Sequence, residues 1–254
     1  MTNAARLILN ARRARRLLEP LGAAAPVDEA AGYAAQYELA GMIGAVPPAG
    51  FKIGATAKVM QEYLGLSGPA AGFVSLEGLV VSGGSVHFDD FTAPGVECEV
   101  ALRLGTDLPA GPCSREQAAA AVAEVFAGIE IVEKRYNDLA ALGTPTLIAD
   151  QVFHAGGALG IPALGWPGID LAAAKGEILV DGVLRGSGVG ADLLGHPLDA
   201  LAWLADSGAA HAFGGLKAGQ VVFLGSVTPP IWLDGPCAVT VSFDLLGTTT
   251  LRFT

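Results

Sequence analysis

Gly95-Val96-Glu97-Cys98-Glu99-Val100-Ala101-Leu102 is the stretch from which the rest of the chain is read. Its β-branched and apolar residues predict a strand. Successive side chains of a strand point to opposite faces, so Glu97 and Glu99 share one face and Val96, Cys98 and Val100 the other. Two residues of rise put the two carboxylates roughly 7 Å apart at the backbone, close enough for their tips to converge. Like charges about 4 Å apart repel by about 4 kcal/mol at an effective dielectric of about 20. Either one carboxyl keeps its proton or a cation lies between the two. A third acid in the same kind of setting, Glu130 in Gly128-Ile129-Glu130-Ile131-Val132, favours the cation. An all-carboxylate set suits Mg²⁺ or Mn²⁺ better than zinc. The same spacing also describes the solvated outer face of half-buried strands.

Around this stretch the chain has 254 residues, 52% hydrophobic and 16% charged, with 35 glycines and a net charge of −10. Such a composition predicts a well-buried globular protein rich in tight turns. The negative charge argues against nucleic acid and anionic membrane surfaces as partners. Cys98, Cys113 and Cys237 have neither zinc-like spacing nor an even count, which fits a reducing, cytoplasmic setting. No uninterrupted apolar run reaches membrane-spanning length. Sparse charge on an apolar chain predicts self-association into a homo-oligomer.

The first 72 residues read as a small helical layer followed by a lysine-bearing strand, and residues 73–254 as a β-rich domain. Helices are predicted over 3–18, 27–43 and 57–64, with Lys52 lying among apolar neighbours in Gly50-Phe51-Lys52-Ile53-Gly54. A buried lysine needs a counter-charge, and the three acids are candidates. From Phe73 onward, short apolar runs alternate with Gly, Pro and Asp. Two helices interrupt them, one opened by the capping box Ser114-Arg115-Glu116-Gln117 and running to about Phe126, the other over 197–206. Leu224-Gly225-Ser226-Val227-Thr228 leaves a strand through a turn that offers N–H and hydroxyl donors to an anion.

Several of these motifs, taken in order, resemble the 2-keto-4-pentenoate hydratase branch of the fumarylacetoacetate hydrolase superfamily. They are Tyr33-Ala34-Ala35-Gln36, Lys52-Ile53-Gly54-Ala55-Thr56, Glu97-x-Glu99, Glu130-Ile131-Val132, Ile148-Ala149-Asp150, Gly188-x-Gly190-Ala191 with Gly195-His196-Pro197, Leu216-Lys217-Ala218-Gly219 and Gly225-Ser226-x-Thr228. The resemblance implies an α+β fold, a mixed β-sandwich or roll with a small N-terminal helical layer. It implies Mg²⁺ or Mn²⁺ on Glu97, Glu99 and Glu130, with Lys52 as a catalytic cation near the substrate. Asp150, Ser226 and Thr228 become substrate-binding residues. The implied activity is a metal-dependent hydro-lyase adding water to a short, anionic 2-hydroxydienoic or 2-oxo acid, as in aromatic-compound catabolism. It would work beside a decarboxylase or aldolase of the same pathway.

Two departures stand out. An acid that the family often carries after the lysine motif is absent from Pro69-Ala70-Ala71-Gly72, and Glu77 is the next acid along the chain. The family's Asp-Asn-Ala-Ser-Ser is here Asp150-Gln151-Val152-Phe153-His154, which makes His154 a catalytic candidate alongside Glu77. The same platform also admits decarboxylation, C–C hydrolysis, or binding of a 2-oxo acid without turnover.

Overall fold

A computed structural model describes residues 2–254. The N-terminal layer holds α1 (Asn3–Arg13) and α2 (Glu29–Met42), the latter capped by the Asp28 carboxylate, which accepts from the Ala31 N–H. The chain then runs through β1 (Gly50–Gly54), α3 (Lys58–Leu64), β2 (Ala70–Val74), β3 (Leu79–Val81), β4 (Ser85–Val86) and β5 (Pro94–Leu104). It continues with α4 (Arg115–Ala121), β6 (Val122–Glu133), α5 (Leu139–Leu142), α6 (Thr144–Ala149), β7 (His154–Leu159), β8 (Lys175–Val180) and β9 (Val183–Val189). Last come α7 (Pro197–Ala205), α8 (Gly208–Phe213), β10 (Val221–Ser226), β11 (Ile231–Trp232), β12 (Cys237–Phe243) and β13 (Gly247–Phe253). The α+β class expected from the sequence is the class observed.

The larger sheet runs β2-β1-β10-β5-β6-β7-β3, with β11 added to β5. The smaller runs β4-β13-β12-β8-β9. Two expectations change here. The boundary at 72/73 falls inside β2, and β1 pairs with both β2 and β10, so the lysine strand belongs to the same sheet as the carboxylates. The capping-box helix stops at Ala121, and Val122-Ala123-Glu124-Val125-Phe126 pairs with β5 as the start of a twelve-residue β6.

Cross-strand register decides what each face carries. Lys52 pairs with Phe223, Phe223 with Ala101, and Ala101 with Phe126. Glu97 pairs with Glu130, and Glu130 with Gly157. Directly paired residues lie on the same face, so Lys52 and all three acids share one. Val74, Ala101, Phe126, Val221 and Phe223 form a small buried cluster of their own, with Leu79 and Leu159 packed on it. That cluster joins residues from both edges of the sheet, which therefore curls into a roll around them. Gly157 lets this happen: a Cβ there would lie 2.5 Å from the Phe223 ring. The opposite face, with Phe51, Ile53, Cys98, Val100, Leu102 and Ile129, joins the main core beneath the helices and the smaller sheet. The roll thus has an apolar plug on its inner face at one end and charged groups at the other.

The β2 edge would leave peptide groups unpaired, and side chains replace the missing strand. The Tyr33 hydroxyl accepts from Ala71 N–H, and the Gln36 amide donates to the Ala71 carbonyl and accepts from Phe73 N–H. Gln151 donates to the Phe73 carbonyl at 2.5 Å. The Tyr33/Gln36 spacing of i, i+3 puts both on one face of α2, which explains the Tyr-x-x-Gln pattern.

Candidate metal and active site

Glu97, Glu99 and Glu130 each contribute one oxygen to a group in which these atoms lie within 4.8 Å of one another. Glu99 and Glu130 are fully buried and Glu97 is half-buried. One oxygen of each buried carboxyl is anchored. Glu99 Oε2 accepts from Gly225 N–H at 2.9 Å. Glu130 Oε1 lies 2.8 Å from His154 Nδ1 and 3.5 Å from Lys52 Nζ. The other two oxygens, Glu99 Oε1 and Glu130 Oε2, are buried with no hydrogen-bond partner. Unpaired buried oxygens are costly unless a cation meets them. The residues therefore fit a hard divalent ion, with one free oxygen on each buried carboxyl as its ligand and Glu97 completing the set.

The charges agree with this. Burial, and then repulsion from Glu130, raises Glu97 to about 8. Burial and its two acidic neighbours push Glu99 well above the carboxylate range. Burial also acts against ionised Glu130, but Lys52 and His154 outweigh it and hold that carboxyl below its ordinary value. Burial lowers His154 against the pull of Glu130. Without a metal, burial and mutual repulsion disfavour charge on Glu97 and Glu99, while Lys52 and His154 favour it on Glu130.

Lys52 is 2% exposed, and its Nζ donates to the Val152 carbonyl at 2.5 Å. His154, a catalytic candidate from the altered segment, stands beside Glu130 in the structure. With Glu130 ionised, the short contact assigns the proton to Nδ1 and leaves Nε2 with a free lone pair.

The other expected site residues have the following surroundings. Asp150 is 1% exposed, and its carboxylate is filled by Arg12 Nε at 2.6 Å, Arg135 Nε at 2.8 Å and the Tyr136 hydroxyl. Burial would raise its pKa, yet the two guanidiniums carry it below the ordinary value. It anchors structure and has no oxygen left for a substrate. Ser226 Oγ accepts from Cys98 N–H and Thr228 N–H, each at 3.2 Å, and lies 3.4 Å from Thr228 Oγ1. These hydroxyls brace the irregular pairing of β10 with β5, and the donor this turn sends to the cluster is Gly225 N–H. Glu77 sits exposed on a single turn of 3₁₀ helix after β2 and makes no bond to the cluster. Ala70, where the family acid is missing, ends the β1–β2 pairing opposite Gly54.

Sequence reasoning missed Arg12, Arg135, Tyr136 and the Val152 carbonyl. Arg12 had a signal, since it lies four residues after Ile8 on the buried face of α1. The carbonyl had none. Gln151, Val152 and Phe153 have φ of 63°, 49° and 68°, three consecutive non-glycine residues in left-handed backbone. Each costs about 1–2 kcal/mol in that conformation, and the β-branched Val152 is the most unusual of the three. The neighbouring contacts hold the turn: Arg12 donates to Gln151 Oε1, Lys52 to the Val152 carbonyl, and Glu133 N–H to the Phe153 carbonyl.

A curled sheet carrying a carboxylate triad, a buried lysine and an N-terminal helical layer defines the class, and the chain belongs to the fumarylacetoacetate (FAA) hydrolase family, whose C-terminal domain matches residues 58–254. It is 34% identical over 212 residues to a 2-hydroxyhexa-2,4-dienoate hydratase of Comamonas testosteroni, covering 81% of this chain and 78% of that protein. It is 32% identical over 205 residues to a 2-keto-4-pentenoate hydratase of Burkholderia vietnamiensis, with 81% and 78% covered. In fold it is similar to the 4-oxalocrotonate decarboxylase of Pseudomonas putida G7, solved with magnesium and adipate, with a TM-score of 0.90. That likeness covers 99% of this chain and 96% of the other at 24% identity. No helix among the described residues is long and apolar enough to cross a membrane.

Proposed function

We propose that the protein is a divalent-metal-dependent hydro-lyase, using Mg²⁺ or Mn²⁺ to add water to a short 2-hydroxydienoic acid such as 2-hydroxypenta-2,4-dienoate. The observation that carries this reading is the pair of buried, unpartnered oxygens on Glu99 and Glu130, facing Glu97 across a gap of ion size. The hydratase relatives supply the reaction class. A bound ion supplies Lewis-acid polarisation of the oxygen at carbon 2. Lys52, locked by the Val152 carbonyl and Glu130, presents a fixed positive charge to the acid's carboxylate. His154 Nε2 takes the proton of the 2-hydroxyl and carbon 5 gains one from solvent water, so the dienol becomes the 2-oxo tautomer. The remaining double bond is then conjugated to the 2-oxo group, and water adds at carbon 4 to give 4-hydroxy-2-oxopentanoate. The altered segment replaces the family's small hydroxyls with an imidazole, which gives His154 this role.

The test follows the ultraviolet absorbance of the dienoate with and without Mg²⁺ and identifies the product. Metal-dependent loss that yields the 4-hydroxy-2-oxo acid supports the reading. Release of carbon dioxide, or inertness of the loaded protein, sinks it and leaves decarboxylation or binding alone.

A further inference from the structure

Cross-strand register sorts the inner face of the roll into rows. Phe223, Ala101 and Phe126 lie in the apolar plug, and the next row pairs Ser226, Glu99 and Gly128. Glu97, Glu130 and Gly157 follow. The row after that runs Trp232, Gly95, Val132 and His154, each paired with the one before it across β11, β5, β6 and β7. Directly paired residues share a face, and neighbouring strands lie about 4.8 Å apart. Trp232 therefore stands in the row of His154, and its partner Gly95 is one pleat repeat, roughly 7 Å, from Glu97.

Gly95 shows where the indole lies. A Cβ there would point to the inner face, and it would meet Cε3 and Cζ3 of Trp232 at 2.8 and 3.1 Å. The ring thus crosses the glycine on the side that carries the carboxylates. Leu233 N–H donates to the Pro94 carbonyl at 2.9 Å and pins β11 against β5. Between the indole and His154 the row holds only the hydrogen of Gly95 and the side chain of Val132. Of the three acids Glu97 alone is half-buried, and it is the one that shares β5 with Gly95. The Trp232 ring is itself 41% exposed. A lone exposed apolar side chain needs no explanation. An indole fixed over a glycine, beside the accessible acid and in line with His154, is a π surface at the edge of the metal platform.

We infer that Trp232 is a specificity-determining residue, the surface on which the bound acid lays its chain from carbon 3 outward. It favours flat, unsaturated or aromatic chains over saturated ones, because these stack on an indole. The inference rests on the 2-oxo acid reading above, which sets the ligand's carboxylate and 2-oxygen at the cluster.

Calorimetry separates this inference from the chemistry. With Mn²⁺ present, oxalate, 2-oxopentanoate and 2-oxo-4-phenylbutanoate are titrated into the wild type, Trp232→Phe and Trp232→Ala. The wild type binds the phenyl acid about fivefold more tightly than 2-oxopentanoate, the strength of one aromatic pair. Trp232→Phe keeps that preference within about twofold, and Trp232→Ala abolishes it. Oxalate, which ends at the metal, binds all three proteins alike. A preference that survives in Trp232→Ala overturns the inference. So does a loss of oxalate binding in Trp232→Ala as large as that of the phenyl acid, since Trp232 would then support the cluster and not the ligand. The expected ratios without dienoate turnover overturn only the hydratase reading, and turnover with unchanged ratios overturns only the inference.

Discussion

Two buried groups of charge lie on either side of one short turn and are built on opposite plans. Around Asp150 every oxygen is filled, by two guanidiniums and a phenol. Around Glu97, Glu99 and Glu130, three acids face one lysine and a neutral histidine, and two oxygens meet nothing. A saturated network holds the chain in place, whereas an under-satisfied one stores affinity for something absent from the chain. The Gln151–Phe153 turn joins them: the Asp150 side fixes Arg12 and Gln151, and through them the carbonyl that aims Lys52.

The comparison predicts opposite responses to removal of a charge. Asp150→Asn takes the shared counter-ion from half-buried Arg12 and from buried Arg135, which keeps only Glu133, and is expected to cost about 3 kcal/mol in urea unfolding, the largest effect foreseen here. Glu99→Gln should leave the stability of the metal-free protein unchanged or higher. Burial and the neighbouring acids already disfavour charge on the native carboxyl, and the amide oxygen can still accept from Gly225 N–H. The same change should weaken Mn²⁺ binding by on the order of 100-fold or more, since a lost ligand exceeds the 10–100-fold typical of a lost outer-shell partner. If Glu99→Gln unfolded the protein and Asp150→Asn did not, the assignment of roles would be reversed.

How much of this was legible in the sequence divides along the same line. The acids were visible because charge at strand spacing conflicts with an apolar setting, and Lys52 and His154 stood out for related reasons. Residue type and period made the three acids stand out, and the resemblance supplied the metal reading. The saturated network was not, because Arg12, Arg135 and Asp150 look like ordinary charged residues until the fold brings α1, β6 and α6 together. Ser226 and Thr228 show the converse. A turn rich in hydroxyls suggests a ligand cradle, but an irregular strand pairing needed those hydroxyls first. The left-handed turn was beyond reach, since Gln-Val-Phe carries no glycine or asparagine signal for positive φ.

Acidity separates the two groups again. Glu97 and Glu99 have raised pKa values, so without metal their contribution to stability is complete below about 4.5 and is lost as pH rises through their raised folded values, about 8 for Glu97. Thermal unfolding of the metal-free protein should show that decline, and Mn²⁺ should remove it. Each proton released on binding tightens the metal by about tenfold per pH unit below the pKa it came from. Asp150 has a lowered pKa, so its contribution is complete above about 3.8 and is lost as pH falls through its lower folded value. A metal affinity independent of pH between about 6 and 8 would argue against protons occupying the cluster.

The smallest predicted effect tests whether saturation matters without charge. At the β2 edge, Tyr33 accepts from the Ala71 N–H at 3.1 Å in a buried setting. Tyr33→Phe keeps the ring and removes that acceptor, so one peptide N–H is left unpaired, at an expected cost of about 1 kcal/mol. β2 sits beside the lysine strand, with Ala71 paired to Ile53, yet its neighbours Gln36 and Gln151 still hold the edge. The position of Lys52 should therefore survive, and Mn²⁺ affinity should stay within about twofold of wild type. A loss of stability with affinity unchanged places Tyr33 with Asp150 among the saturated contacts, on a smaller scale because no charge is stranded. A parallel loss of metal binding would instead mean that the β2 edge and the carboxylate cluster are mechanically one unit, and that the division between holding and binding fails at this end of the roll.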